Sequence, residues 1–400
     1  MNIRLISYAV STFLIKVLIK DYNRLLVLGP MRQILKRDAM VNNTYQGNMN
    51  CAPVNKRVLY FDLLNIFATI AVVYLHCNGI VHTYTKGMSW AASLIIEVIF
   101  YWAVPIFFML TGAKTLNFRA KRDTFSFLKS RMARIFFPFL AWSVILFIFR
   151  FSGLIIPASP NMPFTLRGFI SALMTNTIEP TYWFFFSMFA VTISIPVLSL
   201  LVDQKKTLWY MVGCAFLFVS VAPYLFYFIG LPWNADITIS VASGYIMYVI
   251  LGWLLADVDF NLSKQQLKLL YCAGIICLAL RYGYTYLSST STGQVDRLFF
   301  NYMSFLAVIP SVSLFMWFKN NELRFSRFVK HRKLIATISG ASFGVYLIHK
   351  LVLDNFVCGC LGISMDSIPL RTVGPLVIYV ACTLIVLLLK RIPYIETIVP

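Results

Sequence analysis

Two of the four histidines, His76 and His349, stand inside long apolar stretches, whereas His82 and His331 stand in loops, where a solvated imidazole is the default. Imidazole accepts and returns a proton near neutral pH, so a histidine set among apolar residues is a candidate general base or nucleophile. The segment RVLYFDLLNIFATIAVVYLHCNG carries Asp62, Asn65, Thr69 and His76 at intervals of three, four and seven residues. On a helix advancing 100° per residue, Asn65 and His76 differ by only ~20° around the axis and stand ~16 Å apart along it, so they share one polar stripe. A second stripe lies in ISGASFGVYLIHKLVLD, where Ser339, Ser342, Tyr346 and His349 recur at three and four residues. Glu97 falls in the next apolar stretch at a depth comparable to His76, and a carboxylate there is able to orient the imidazole and stabilise its charged form. Snorkelling to the outer surface is the alternative for Glu97, and bonding to neighbouring helices is the alternative for Asn65 and Thr69. Arg281, also within an apolar stretch, requires an anion or carbonyl partner, either a structural ion pair or a bound substrate.

The elements that position these residues must be helices in lipid. The chain has 400 residues, 59% of them hydrophobic and 12% charged, and that charged share is about half of what a soluble domain carries. Its formal net charge of +20 sits on this apolar background; nucleic-acid binders place such an excess on polar folds, so the cations belong at a lipid surface and no nucleic-acid partner is expected. Disordered, collagenous and disulfide-rich secreted classes are excluded by the same composition. Ten stretches approach the ~20 apolar residues that a bilayer crossing needs: 58–78, 92–113, 134–157, 181–202, 208–230, 237–256, 267–288, 298–318, 334–359 and 371–389. If the first enters from the cytoplasm, the inner segments hold 21 lysines and arginines and the outer ones five: Lys86, Arg150, Arg167, Arg297 and Arg371. That asymmetry predicts an all-α polytopic membrane bundle of about ten transmembrane helices with both termini cytoplasmic.

Three regions are expected: a basic N-terminal cytoplasmic extension over 1–55, a membrane domain over 56–392 and a short cytoplasmic tail over 393–400. The extension holds seven cations and one short apolar segment, Leu5 to Ile19. It reads either as an amphipathic segment on the inner leaflet or as a start-site artefact, since Met40 and Met49 are alternative first residues. The eight cysteines show no metal-ligand spacing, and Cys358 and Cys360 read as two further core thiols. No metal and no bound cofactor are expected. Neither a glycine-rich phosphate loop nor an internal repeat of 20–50 residues occurs.

The first polar stripe and several later segments resemble the acyltransferase family 3 integral membrane O-acyltransferases. The resemblance rests on RVLYFDLLNIFATIAVVYLHCNG, VPIFFMLTGAKTL, RMARIFFPFLAW, YWFFFSMFAVTISIPVL, GYIMYVILGWLLA and SFGVYLIH, in that order, from Arg57 to Arg391. It implies transfer of an acyl group, usually acetyl from acetyl-CoA, to a hydroxyl of a cell-surface glycan or its lipid-linked precursor. The form is similar to bacterial enzymes that modify surface polysaccharide, so a bacterial inner or cytoplasmic membrane location is implied. The family's catalytic histidine corresponds to His76. Its donor-binding arginine or lysine, eleven residues earlier, is Asn65 here, and a neutral amide lacks a guanidinium's charge-assisted bidentate bonds. Thr111, where serine is common, and Thr181, where histidine is common, are smaller departures.

The expected partners are therefore acyl-CoA, a glycan or lipid-linked sugar acceptor, and membrane lipid. His76, with Glu97 and Asp62, forms the candidate catalytic set. Asn65, Arg131, Arg134, Trp183, Arg281, Tyr346 and His349 are the candidate substrate-binding residues: Arg131 and Arg134, with Lys129, for the phosphates of the donor, and Trp183 and Tyr346, with Phe184, as a stacking surface for a sugar. Topology anchoring is the alternative for the inner cations. A secondary transporter, using Pro105, Pro196 and Pro310 to break helices, and a non-catalytic partner of a glycan-synthesis complex remain open alternatives.

Overall fold

The structure is a computed structural model and describes residues 57–399 apart from Pro160, Thr238 and Ser243, so the expected extension over 1–55 lies outside the described residues. The described residues form helices and no strand. Among the described residues, seven helices are long and apolar enough to cross a membrane: α1 (Leu59–His76), α2 (Met88–Ala120), α3 (Thr124–Phe151), α4 (Pro180–Leu201), α5 (Lys205–Phe228), α7 (Lys264–Thr292) and α9 (Arg332–Cys360). Three shorter apolar helices, α6 (Tyr245–Ala256), α8 (Phe305–Asn320) and α10 (Gly374–Leu389), occupy the remaining predicted stretches. They are shorter because turns replace their first residues. Before α6 the chain turns at Gly244, whose φ of +60° only glycine adopts without strain. Before α8 it turns at Ser304, whose carbonyl accepts from the amides of Ala307 and Val308. A separate short helix, Ile368–Thr372, precedes α10.

Proline chemistry shapes the long helices. Within α2 the helix breaks at Tyr101 and Trp102, where Pro105 has no N–H to offer the Tyr101 carbonyl one turn back. In α3 and α5 the widened π-turns Met132–Phe136 and Phe216–Val221 lie just before Pro138 and Pro223, absorbing the same missing bond. Pro196 and Pro310, in contrast, lie inside continuous helices. Of the three prolines, Pro105 alone stands one turn after a helix break.

α7 shows how membrane helices sort their faces. Its buried residues are Gly274, Cys277, Arg281, Thr285 and Ser289, one stripe at three- and four-residue spacing, whereas Leu269, Ile275, Ile276, Leu280 and Leu287 are exposed. Small and polar residues face the bundle and aliphatic ones face outward, as packing in lipid favours. Small residues also allow a close approach of α2 and α6. A Cβ on Gly112 of α2 would lie 1.9 Å from the Val249 carbonyl oxygen of α6, and one on Gly252 of α6 would lie 1.9 Å from the Met109 carbonyl oxygen of α2. These two glycines interlock backbone against backbone.

Cation chemistry closes the end of α6. Lys319, at the end of α8, donates to the carbonyls of Leu255, Asp257 and Phe260 at 2.6–2.8 Å, satisfying acceptors that a helix C-terminus leaves free. The seven described cysteines are all free thiols. Cys360 is exposed beyond the regular part of α9, so it is not the core thiol expected, and Cys358 is half-buried.

Candidate active site

α1 and α9 run parallel, and their polar stripes meet at two levels. At the first, the Asn65 amide donates to the Ser339 carbonyl at 3.0 Å and to its hydroxyl at 3.1 Å, while that hydroxyl donates to Asp62 at 2.9 Å. At the second, the ring of His76 lies 5.0 Å from that of His349, centroid to centroid, with the planes tilted by 47°. Eleven residues of α1 and ten of α9 separate the two levels, ~15–16 Å on either helix, so the register holds over three turns. Asp62 stands ~21 Å from His76 along α1 and supports Ser339, not the imidazole.

The second level is where chemistry is available. His76 keeps accessible surface although it lies in the bundle, and no hydrogen bond engages its ring nitrogens among the described residues. Lys350, paired with Asp354 at 2.7 Å, and His82 lie within electrostatic reach of it. His349 is fully buried, with its Nδ1 2.8 Å from the Tyr346 carbonyl oxygen and 3.2 Å from that of Val345. Tyr346 is also buried: its hydroxyl donates to the Thr181 carbonyl at 2.8 Å and its ring packs on Phe184 and His349.

Glu97 is level with His76. The Asn78 amide donates to the Ser93 carbonyl of α2 and Tyr74 stacks on Phe100 of the same helix, bracketing His76 and Glu97 between two antiparallel contacts. The carboxylate nevertheless interacts electrostatically with Arg281 of α7, and no hydrogen bond, ion pair or ring contact joins it to His76 among the described residues. Both charged groups are buried, Glu97 at 4% and Arg281 at 1% exposure. The Arg281 guanidinium carbon lies 3.5 Å from the centroid of Tyr101, a cation–π contact. Its Nε and Nη2, and Oε2 of Glu97, have no hydrogen-bond partner among the described residues. Tyr101 stacks on Tyr302 at 4.3 Å, and Tyr302 on Trp183 at 5.9 Å. Trp183, Tyr302 and Tyr245 keep accessible surface, which makes this aromatic row, and not Tyr346, the available stacking face.

Arg131 and Arg134 lie apart from these groups. Arg131 lies over Phe127 at 5.5 Å and Arg134 is exposed; no hydrogen bond or ring contact joins either to the α1 and α9 stripes among the described residues. A cavity of about 600 Å³ opens beside Tyr60, Phe61, Trp253, Asp203, Asp257 and Glu322. Lys205 and Lys319 also line it, so carboxylates outnumber amines three to two. Lys205 is paired with Asp257, and its hydrogen bond holds the Asp257 carboxyl below the usual carboxylate range. Such a lining does not suit a phosphate group.

The buried ion pair of Arg150 and Glu179, 3.0 Å apart with both side chains 5% exposed, leaves no signal in the sequence. The other carboxylate oxygen of Glu179 accepts from the Thr181 hydroxyl at 2.9 Å, and the Thr181 carbonyl holds Tyr346. Through these bonds the start of α4 is tied to the His349 turn of α9. Glu179 lies in a loop beside Pro180, where a charge reads as solvated, and no periodicity links it to a residue 29 positions away.

No curated protein and no solved structure matches the chain. A family model for the acyltransferase domain matches residues 58–391, and the matched span contains both polar stripes, the interlocked glycines of α2 and α6 and the SFGVYLIH turn of α9. The chain belongs to the acyltransferase family 3 membrane proteins.

Proposed function

We propose that the protein transfers an acyl group, acetyl in the first instance, from acyl-CoA to a hydroxyl of a cell-surface glycan or its lipid-linked precursor in a bacterial cytoplasmic membrane. Ten crossings with both termini cytoplasmic are part of this proposal, supported by the seven long and three shorter apolar helices. The observation that carries it is His76: an imidazole at the end of α1, partly accessible, with ring nitrogens that no hydrogen bond engages among the described residues and with a histidine partner.

In the proposed step a ring nitrogen of His76 takes the proton of the acceptor hydroxyl as its oxygen attacks the thioester carbonyl carbon. The tetrahedral oxyanion collapses, the C–S bond breaks, and the departing thiolate receives the proton from the imidazolium. An ester and free CoA thiol result. In the relay form of the same mechanism, the imidazole itself carries the acyl group between donor and acceptor. The accessible row of Trp183, Tyr302 and Tyr245 supports stacking of a sugar, and the unpartnered atoms of Glu97 and Arg281 support hydrogen bonds to its hydroxyls. Arg131 and Arg134 are the proposed contacts for the donor phosphates, because the cavity beside Tyr60 is richer in carboxylates than in amines.

Membranes holding the protein, given radiolabelled acetyl-CoA, should carry label into their glycan or lipid fraction. His76→Ala should abolish this with the protein still inserted. Undiminished labelling by that variant would overturn the assignment of His76, and solute uptake without any covalent product would favour a transporter.

A further inference from the structure

His349 has one proton position open to it. The oxygens 2.8 and 3.2 Å from its Nδ1 are backbone carbonyls, which only accept, so the ring proton must sit on Nδ1. Nε2 is then a bare lone pair. That nitrogen is buried, has no hydrogen-bond partner among the described residues, and belongs to the ring packed against His76. A buried acceptor without a donor is destabilising, because it has lost its bonds to water and gained none in return. A group that offers it a hydrogen bond during the reaction recovers that loss.

We infer that His349 is a positioning residue for His76: its Nε2 accepts a hydrogen bond from His76, in the place a carboxylate holds in a nucleophile–base–orienter set. The inference rests on acyl transfer through His76. When His76 takes up the acceptor's proton it carries N–H groups on both ring nitrogens; one faces the reacting atoms, and the other is the donor that Nε2 of His349 lacks. The hydrogen bond is strengthened as the imidazolium forms, so it acts on the transition state more than on bound substrate. His349 is buried and takes no part in binding the donor. Glu97 does not fill this place, because Arg281 and the aromatic row are its neighbours. Two backbone carbonyls of α9 perform the service that a carboxylate would otherwise perform for His349 itself, holding its tautomer.

Two substitutions separate the nitrogens. In His349→Asn the amide nitrogen takes the position of Nδ1 and keeps the bond to the Tyr346 carbonyl, but nothing replaces Nε2. In His349→Gln the amide oxygen reaches the position of Nε2 and restores an acceptor. With radiolabelled acetyl-CoA and native membranes, His349→Asn should lower kcat by ~100-fold and leave KM for acetyl-CoA within about twofold, and His349→Gln should recover at least tenfold of the loss. Equal losses in the two variants, or unchanged kcat in His349→Asn, would overturn the inference. Nitrogen-15 spectra of the histidine-labelled protein, which has four histidines, provide a reading independent of turnover. They should show a protonated Nδ1 and a bare Nε2 for His349. The opposite tautomer refutes the inference even if acyl transfer is observed, and absence of transfer with the expected tautomer refutes the proposed function while leaving the local geometry in place.

Discussion

Breaking the Arg150–Glu179 pair should be among the most damaging single changes outside the histidines. Each group has a defined set of partners: Glu179 accepts from Arg150 on one oxygen and from Thr181 on the other, and Arg150 also donates to the Pro157 carbonyl at 2.8 Å. Both side chains are 5% exposed, so neither is screened by solvent. Glu179→Gln leaves a buried guanidinium without its counter-ion, and removal of one partner from such a pair typically costs about 3–5 kcal/mol. Arg150→Met leaves the carboxylate with only its Thr181 bonds and should cost a similar amount. The double variant Arg150→Met with Glu179→Leu buries no charge, so its loss should be well below the sum, with a coupling of at least about 2 kcal/mol. Denaturation in detergent, followed by the reactivity of the buried thiols Cys77, Cys277 and Cys382, reads all three. Because the pair is tied through Thr181 to Tyr346, the single variants should also lower acyl transfer in the fraction that remains folded. Single losses below about 1 kcal/mol, the value of a solvated pair, would show that water reaches the pair and would refute the reasoning.

Gly112→Ala and Gly252→Ala should each destabilise the bundle by about 1–3 kcal/mol or more, because the added methyl meets a carbonyl oxygen of the facing helix 1.9 Å away. Gly283→Ala, whose Cβ meets nothing within 4 Å, is the control and should be neutral or stabilising by up to about 1 kcal/mol; thermal unfolding of the three variants checks the contrast. Asp257, held low by Lys205, contributes stability above the ordinary carboxylate pKa of 3.8, and that contribution should be lost as pH falls below this value through the folded-state pKa. Asp257→Asn should remove the acid-side loss, and an unchanged stability–pH curve would contradict it. Asn65→Arg should raise acetyl transfer if the amide weakens a donor site; a lower rate would mean that the bonds from Asn65 to Ser339 hold α1 against α9 and cannot be given up.

Much of the architecture is legible in the chain because hydropathy and helical spacing are local properties. Each of the ten apolar stretches carries a helix, and both polar stripes face inward, since lipid on one side and helices on the other leave polar groups only one favourable direction. His76 and His349 stand out on the same ground. Their pairing is not local: it depends on α1 and α9 lying parallel in one register, which contacts 274 residues apart establish. Depth alone correctly levels Glu97 with His76 but does not say which face of α2 it occupies, and rotation about that axis turns it toward Arg281. The cavity beside Tyr60 likewise combines Tyr60, Lys205, Trp253 and Glu322 from four distant segments, and its charge balance is invisible in a run of lysines and arginines. By itself, then, the order of residues determined a membrane-type helical chain with histidines set where a polar group must have a purpose, because transfer free energies act residue by residue. Only the tertiary structure decided which histidine meets which, which carboxylate meets which guanidinium, and which glycines let backbones touch, because these depend on the rotation and register of helices that packing alone sets.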